Sequence, residues 1–198
     1  MTQQELESAF DKLREQATIL RQTYNTFDSL FSTDPEIENT LRKSAVWFFH
    51  DLNSMMIQYL ILLICRLTDL PETAGRQNLT IPWMTEVIRE NDSVDQEFKS
   101  KIIELDECLR TYRQLLKPIR NKIVSHIDRE TYAYEHTLGG HSEEEMWEFF
   151  DNLQKYFDVV GNVIGVGPLD FRNSSCQGDV HDLLKVLRRG LYRNKHKT

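Results

Sequence analysis

The chain has 198 residues, 40% of them hydrophobic and 28% charged, and a net charge of −7. That length suits one domain with a real core, and the composition excludes a disordered chain. Cys65, Cys108 and Cys176 are odd in number, far apart and without a CxxC pair, which excludes a disulfide framework or a thiolate zinc site and fits a reducing cytoplasm.

The opening MTQQELESAF has neither the basic start nor the apolar stretch of a secretory leader, so none is expected. Leu6, Phe10, Leu13, Ala17, Leu20, Tyr24, Phe27 and Phe31 then recur at spacings of four and three, which predicts one long helix with a continuous apolar seam. Intramolecular packing is the first use for that seam, and a contribution to a dimer the second. In STDPE, Asp34 is placed to cap a second helix with Pro35 at its first position, and this helix should run to about Leu67. Its richest stretch, MMIQYLILLIC from Met55 to Cys65, is about half the length that a bilayer requires and ends at Arg66, so it reads as a buried helix and no membrane contact is expected.

Thr68 to Pro82 carries the Pro, Gly and small polar residues of a loop, and Trp83 to Arg89 a short helix. Ser93 with Gln96 has the spacing of a capping box. It opens a stripe through Val94, Phe98, Ile102, Leu105, Leu109, Tyr112, Leu116, Ile119, Ile123 and Ile127. Pro118 lies within this stripe and removes the hydrogen bond to the Gln114 carbonyl, predicting a kink near Lys117 or a restart with the same face inward. A turn through LGGHS and a second capping box, Ser142 with Glu145, start a helix to about Ile164 that GVGP stops. A last amphipathic helix over Val180 to Arg189 precedes a basic tail at 190–198. No strand pattern and no repeat is evident. The whole chain, 1–198, reads as a single all-α antiparallel bundle of five to six helices with a long central pair.

Charge is unevenly placed along this chain. Residues 110–129 hold six Lys or Arg against Asp128 alone, and residues 185–198 hold six with no acid, so the remainder is strongly acidic. Such a molecule can attract phosphate locally while its overall charge limits nonspecific adhesion. The stretch RNKIVSHID, Arg120 to Asp128, lies in the first of these segments. With Ile123 at the centre of the inward stripe, Arg120 and His126 fall about 60° to either side, on the shoulders of the buried face. Lys122 shares the shoulder of His126, and Asn121 points outward. These groups either reach water while their stems cover apolar surface, or line a cleft.

RNKIVSH resembles the Arg-x(4 to 6)-His motif of HEPN domains, including the polar residue after the arginine. RLTDLPETAGRQNLTI, Arg66 to Ile81, closes a long apolar helix and resembles the corresponding part of the bacterial abortive-infection (AbiU-type) HEPN family. The resemblance implies a helical bundle, and a metal-independent ribonuclease of phage defence or a toxin–antitoxin system that acts as a homodimer without cofactor. The alternative within the same fold is a noncatalytic module that binds nucleotide, RNA or a protein partner. Carried onto this chain, Arg120 clamps phosphate, His126 is the general acid or base and Asn121 orients; these are the implied catalytic residues. A histidine titrating near pH ~6.5 can move the proton of a ribose 2′-hydroxyl, and a guanidinium can hold two phosphate oxygens.

Lys122, Lys117 and Arg76 are the expected substrate-binding residues, with RNA as the substrate. A cation at Lys122 would also lower the pKa of His126. Asp69 and Thr68 either orient Arg120 or His126, or cap the second helix and begin the loop; Arg76 and Asn78 either touch RNA or fix that loop. His136 and His141 flank a Gly-Gly turn, but no ligand set around them has metal-binding spacing, so no metal is expected. Six residues of helix separate Arg120 from His126 by a rise of about 9 Å and about 120°, too far apart to grip one phosphate. A two-fold axis near this helix would bring Arg120 close to the partner's His126. A homodimer with a composite site is therefore expected, with a cognate antitoxin protein as a further partner and the cytoplasm as the location.

Overall fold

The computed structural model describes residues 1–120, 142–171 and 176–195, with side chains as far as residue 193. The chain is all-α. Helix α1 (Gln3–Phe31) starts at a capping box in which Thr2 Oγ1 accepts from the Glu5 N–H at 3.2 Å and the Glu5 carboxylate accepts from the Thr2 N–H at 2.7 Å. Its seam is used internally: Leu6, Phe10, Leu13, Ala17, Leu20 and Tyr24 are all buried.

Helix α2 (Pro35–Thr68) is capped as its sequence predicts, with Asp34 Oδ1 accepting from the Glu36 N–H at 2.8 Å. It kinks at Ala45, where the backbone is extended (φ −162°, ψ 72°). No proline lies near this kink. The Thr40 and Ser44 hydroxyls each donate at 2.8 Å to the carbonyl four residues earlier, a back-bonding that bends helices. Beyond the kink, Leu60, Ile61, Leu63, Ile64, Cys65 and Leu67 are buried as expected. The front of the apolar run departs from the expected buried helix, because Met55 and Tyr59 are exposed. By length and composition alone α2 would suffice to cross a bilayer, yet its C-terminal third is instead covered by the bundle.

The loop after α2 contains a two-rung antiparallel ladder, β1 (Glu72–Thr73) with β2 (Arg76–Gln77), which the sequence pattern did not suggest. Ala74 and Gly75 turn the corner with φ of 51° and 75°. Helix α3 (Ile81–Arg89) begins two residues earlier than its pattern predicts, because Thr80 caps it by accepting from the Trp83 N–H at 3.3 Å.

Helix α4 (Gln96–Ile119) does not use the Ser93–Gln96 capping box. Asp95 is its N-cap, without a side-chain bond, and the Ser93 N–H donates to Asn91 Oδ1 in the preceding turn. Phe98, in the first turn of the helix, is exposed although it shares the face of Ile102, whereas Ile102, Leu105, Leu109, Tyr112 and Leu116 are buried. The helix carries on through Pro118 to Ile119 instead of restarting. Helix α5 (Glu143–Ile164) opens on the predicted box, Ser142 with Glu145, and ends at Gly165, whose φ of 79° suits glycine. Helix α6 (Val180–Lys195) extends past Arg189 into part of the stretch that reads as a tail.

Helix α5 lies between α1 and α4, antiparallel to both. Gln3 Nε2 donates to the Ile164 carbonyl at 3.0 Å, Phe10 meets Phe157 and Tyr24 meets Phe150, so ascending α1 tracks descending α5. On the other side Tyr112 of α4 packs on Phe149 and donates to Met146 Sδ at 3.4 Å, while Cys108 lies near Asn152. Helix α3 is pinned to α5 by the buried Tyr156 hydroxyl, which donates to the Ile81 carbonyl at 3.1 Å and is 2.9 Å from Thr85 Oγ1. A second, smaller core of Leu30, Leu41, Phe49 and Leu184 seats α6 on the kinked half of α2.

Among the described residues one acid, Asp106, is buried. Asp106 of α4 is 4% exposed, and burial pushes its carboxyl up to about 6 although Arg110 Nε stands 3.2 Å from Oδ2; Glu107 and Glu86 add to the rise. The folded chain therefore keeps a proton that the unfolded chain releases near 3.8, so stability falls as pH rises between those values. In Asp106→Asn this dependence disappears. The stability difference between variant and wild type is expected to shift in the variant's favour by on the order of 2 kcal/mol from pH 4 to pH 7, read from urea unfolding at each pH. A difference that stays flat across that range would show that Asp106 titrates normally.

Candidate functional site

The C-terminal ends of α2 and α4 converge on Asp69, the C-cap of α2. A carboxylate is poorly suited to a helix C-terminus, whose dipole favours cations, so its position needs another cause. Arg113 supplies it. The Arg113 guanidinium donates through Nη2 to Asp69 Oδ1, which also accepts from the Leu70 N–H at 3.1 Å. Arg120, at the C-terminal cap of α4, brings Nη2 to 4.0 Å from Asp69 Oδ2.

The two arginines differ in access. The side chain of Arg113 is 12% exposed and that of Arg120 34%, so Arg113 anchors the carboxylate while Arg120 keeps donors open to solvent. Arg120 at the cap and the exposed Lys117 in the last turn of α4 also suit its dipole. A guanidinium steadied on one edge and open on the other is able to accept a phosphate.

Cys65 lies beneath this cluster, 1% exposed. Burial pushes its thiol pKa up, against the pull of Arg120 and Arg113, so Cys65 is a packing group and not a nucleophile. Thr68 is fully buried, and its hydroxyl donates at 2.7 Å to the Ile64 carbonyl of its own helix. Of these two residues, expected either to orient Arg120 or His126 or to cap α2, Asp69 is the C-cap and also stands near Arg120, and Thr68 bonds back within α2.

Asn78 fixes the loop: its Nδ2 donates to the Leu70 carbonyl and to Thr73 Oγ1, both at 3.0 Å, which steadies the chain next to Asp69. Arg76 is exposed on β2 with no ion pair to this cluster among the described residues. Asn121, Lys122 and His126 lie outside the described residues, as do His136 and His141. No group of metal-ligating side chains occurs among the described residues.

Arg113 is the site residue that the motif reading missed, although a signal was present. It precedes Arg120 by seven positions, two helical turns, so the two share one face of α4. Double-mutant cycles in urea should rank the two pairs. Asp69 with Arg113 is expected to couple by about 1 kcal/mol or more, and Asp69 with the farther, more exposed Arg120 by a few tenths. Equal couplings would mean that Asp69 serves both arginines alike.

The family model described as AbiU2, a HEPN family, matches residues 3–183. No curated protein and no solved structure matches the chain.

Proposed function

Because the chain belongs to the AbiU2 family of HEPN domains, and is thus an abortive-infection-related HEPN module, we propose that it is a metal-independent ribonuclease acting as a homodimer in phage defence. The observation that carries this reading is the half-open Arg120 guanidinium, steadied by the Asp69–Arg113 pair at the start of the Arg-to-His motif. Arg120 holds the scissile phosphate and stabilises the charge that builds on its oxygens. The ribose 2′-hydroxyl attacks phosphorus, the bond to the 5′-oxygen breaks, and a 2′,3′-cyclic phosphate remains. His126 takes the hydroxyl proton or returns one to the leaving oxygen, and Asn121 orients the pair. Lys122 and Lys117 bind flanking phosphates. In this reading RNA in the cytoplasm is the target, and a cognate antitoxin holds the activity in check.

The surface of α2 supports the homodimer. Trp47 is 77% exposed, and Phe48, Met55 and Tyr59 are also open, an apolar strip unusual for a lone chain. At about 100° per residue Phe48, Met55, Tyr59 and Arg66 lie on one side of the helix, and that side ends beside Asp69. A second copy covering the strip would bury more than about 1,000 Å² in total and bring the two motifs together. Met55→Glu with Tyr59→Glu should leave the monomer fold within about 0.5 kcal/mol of wild type, while sedimentation shows dimer replaced by monomer and cleavage falls with it. A wild type that is monomeric at micromolar concentration would remove the composite site.

The chemistry is tested on mixed RNA in EDTA. Wild type is expected to cut an all-ribose strand and to spare the same strand with a deoxyribose at the scissile position, since that strand has no nucleophile. Arg120→Ala and His126→Ala should each lose roughly 10²-fold or more in rate. Cleavage of the deoxy-substituted strand, or full activity in the His126 variant, defeats the assignment. Tight RNA binding without any cleavage would favour a noncatalytic RNA-binding module.

A further inference from the structure

Helix α6 contains three features that its own packing does not explain, all within two turns. Gly190 stands in the body of the helix, where glycine costs stability relative to alanine, yet a Cβ built on it would meet nothing within 4 Å. Neither close packing nor a positive φ demands a glycine here. Arg189 and Arg193 are exposed one turn apart, a repulsive spacing, and neither has a carboxylate partner among the described residues. Their neighbours differ: Lys185 pairs with Asp182 at 3.0 Å and Arg188 with Glu36 at 3.4 Å. Finally, Tyr192 and Val186 are 66% and 64% exposed on the same helix. These side chains and Gly190 border an open depression of about 760 Å³.

A missing side chain beside two guanidinium groups that have no carboxylate partner among the described residues lets a ligand approach the helix backbone, and the charge says that the ligand is anionic. An exposed tyrosine alongside adds a face on which a base can stack. We propose that this surface of α6 binds single-stranded RNA, with Arg189 and Arg193 on consecutive phosphates, Tyr192 stacked on a base and Gly190 leaving room for the strand. The inference rests on RNA being the substrate class of the Arg120 site. It adds a second, remote contact. Helix α6 sits on the kinked half of α2 near Phe49, and from Phe49 to Asp69 the helix rises about 30 Å. The α6 surface therefore acts as an exosite that favours long strands over short ones.

The probe is a fluorescent 2′-fluoro single strand of about 20 nucleotides, which has no 2′-hydroxyl and is longer than one typical footprint. Arg189→Gln with Arg193→Gln should weaken binding and flatten the plot of log K against log salt by about 1.4, two single-strand phosphate contacts. Tyr192→Ala should weaken binding about tenfold. Gly190→Gln separates binding from folding: its melting temperature should equal or exceed that of wild type because the helix improves, while its RNA affinity falls several-fold. Unchanged affinity and salt slope in all three variants overturns the exosite, and if wild type still cleaves all-ribose RNA the ribonuclease reading stands without it. Loss of binding in the variants with no cleavage by wild type supports the exosite and defeats the ribonuclease instead. Variants that lose binding to phosphatidylserine vesicles but keep RNA affinity would assign the surface to membrane and overturn the proposal.

Discussion

Everything else in this molecule is placed by the packing of α5 between α1 and α4. Phe149, Phe150, Leu153, Tyr156, Phe157 and Val160 of α5 are each at most 2% exposed. Rings from both neighbours meet them, Tyr24 and Phe10 from α1 and Tyr112 from α4, at centroid separations of 4.6, 5.6 and 4.7 Å. Such tilted contacts add about 0.5–1.5 kcal/mol each to the burial of the rings themselves. Truncating one of them would open a void between three helices at once, which is why this layer sets the spacing of the bundle.

Arg21 shows how the layer tolerates a charge. It is 7% exposed, and its guanidinium lies 4.7 Å from the Phe150 ring centre, 5.2 Å from that of Trp147 and 5.7 Å from that of Tyr24. Nε donates to Asn25 at 2.9 Å. The ring faces partly replace the water that the cation has lost. Asp106 receives less compensation, since Oδ1 has no hydrogen-bond partner among the described residues, and its raised pKa is the consequence.

The Asp69 cluster depends on the same frame. With α4 held against α5 by Tyr112 and Leu116, the next outward positions of α4, Arg113 and Arg120, are carried to the end of α2. Asp69 is held there by an arginine rather than by its own helix. The arrangement divides the work: the mostly buried Arg113 pairs with and fixes the carboxylate, and the outer Arg120 is oriented without being used up. The α2 strip and the basic turn of α6 lie on surfaces that this frame leaves uncovered, so both are open to partners without disturbing the core.

Much of the fold was legible because it depends on neighbours along the chain. The period of α1 from Leu6 to Tyr24 repeats every turn, and the caps at Asp34 and Ser142 satisfy N–H groups two or three residues away, so sequence spacing alone determines them. Where two local solutions compete the pattern misled: Asn91 captured the Ser93 N–H, and α4 began at Gln96 instead. The ladder at Ala74 and Gly75 was too short for any period to register. The arginine of the site was legible from its motif and Arg113 from its seven-residue offset, but their convergence on Asp69, 44 residues before Arg113, was not. Composition likewise gave Met55 and Tyr59 the same apolar character as Leu60 and Ile64. Only the tertiary structure decided which were covered, because hydrophobicity states that a side chain should leave water and not which surface it should meet.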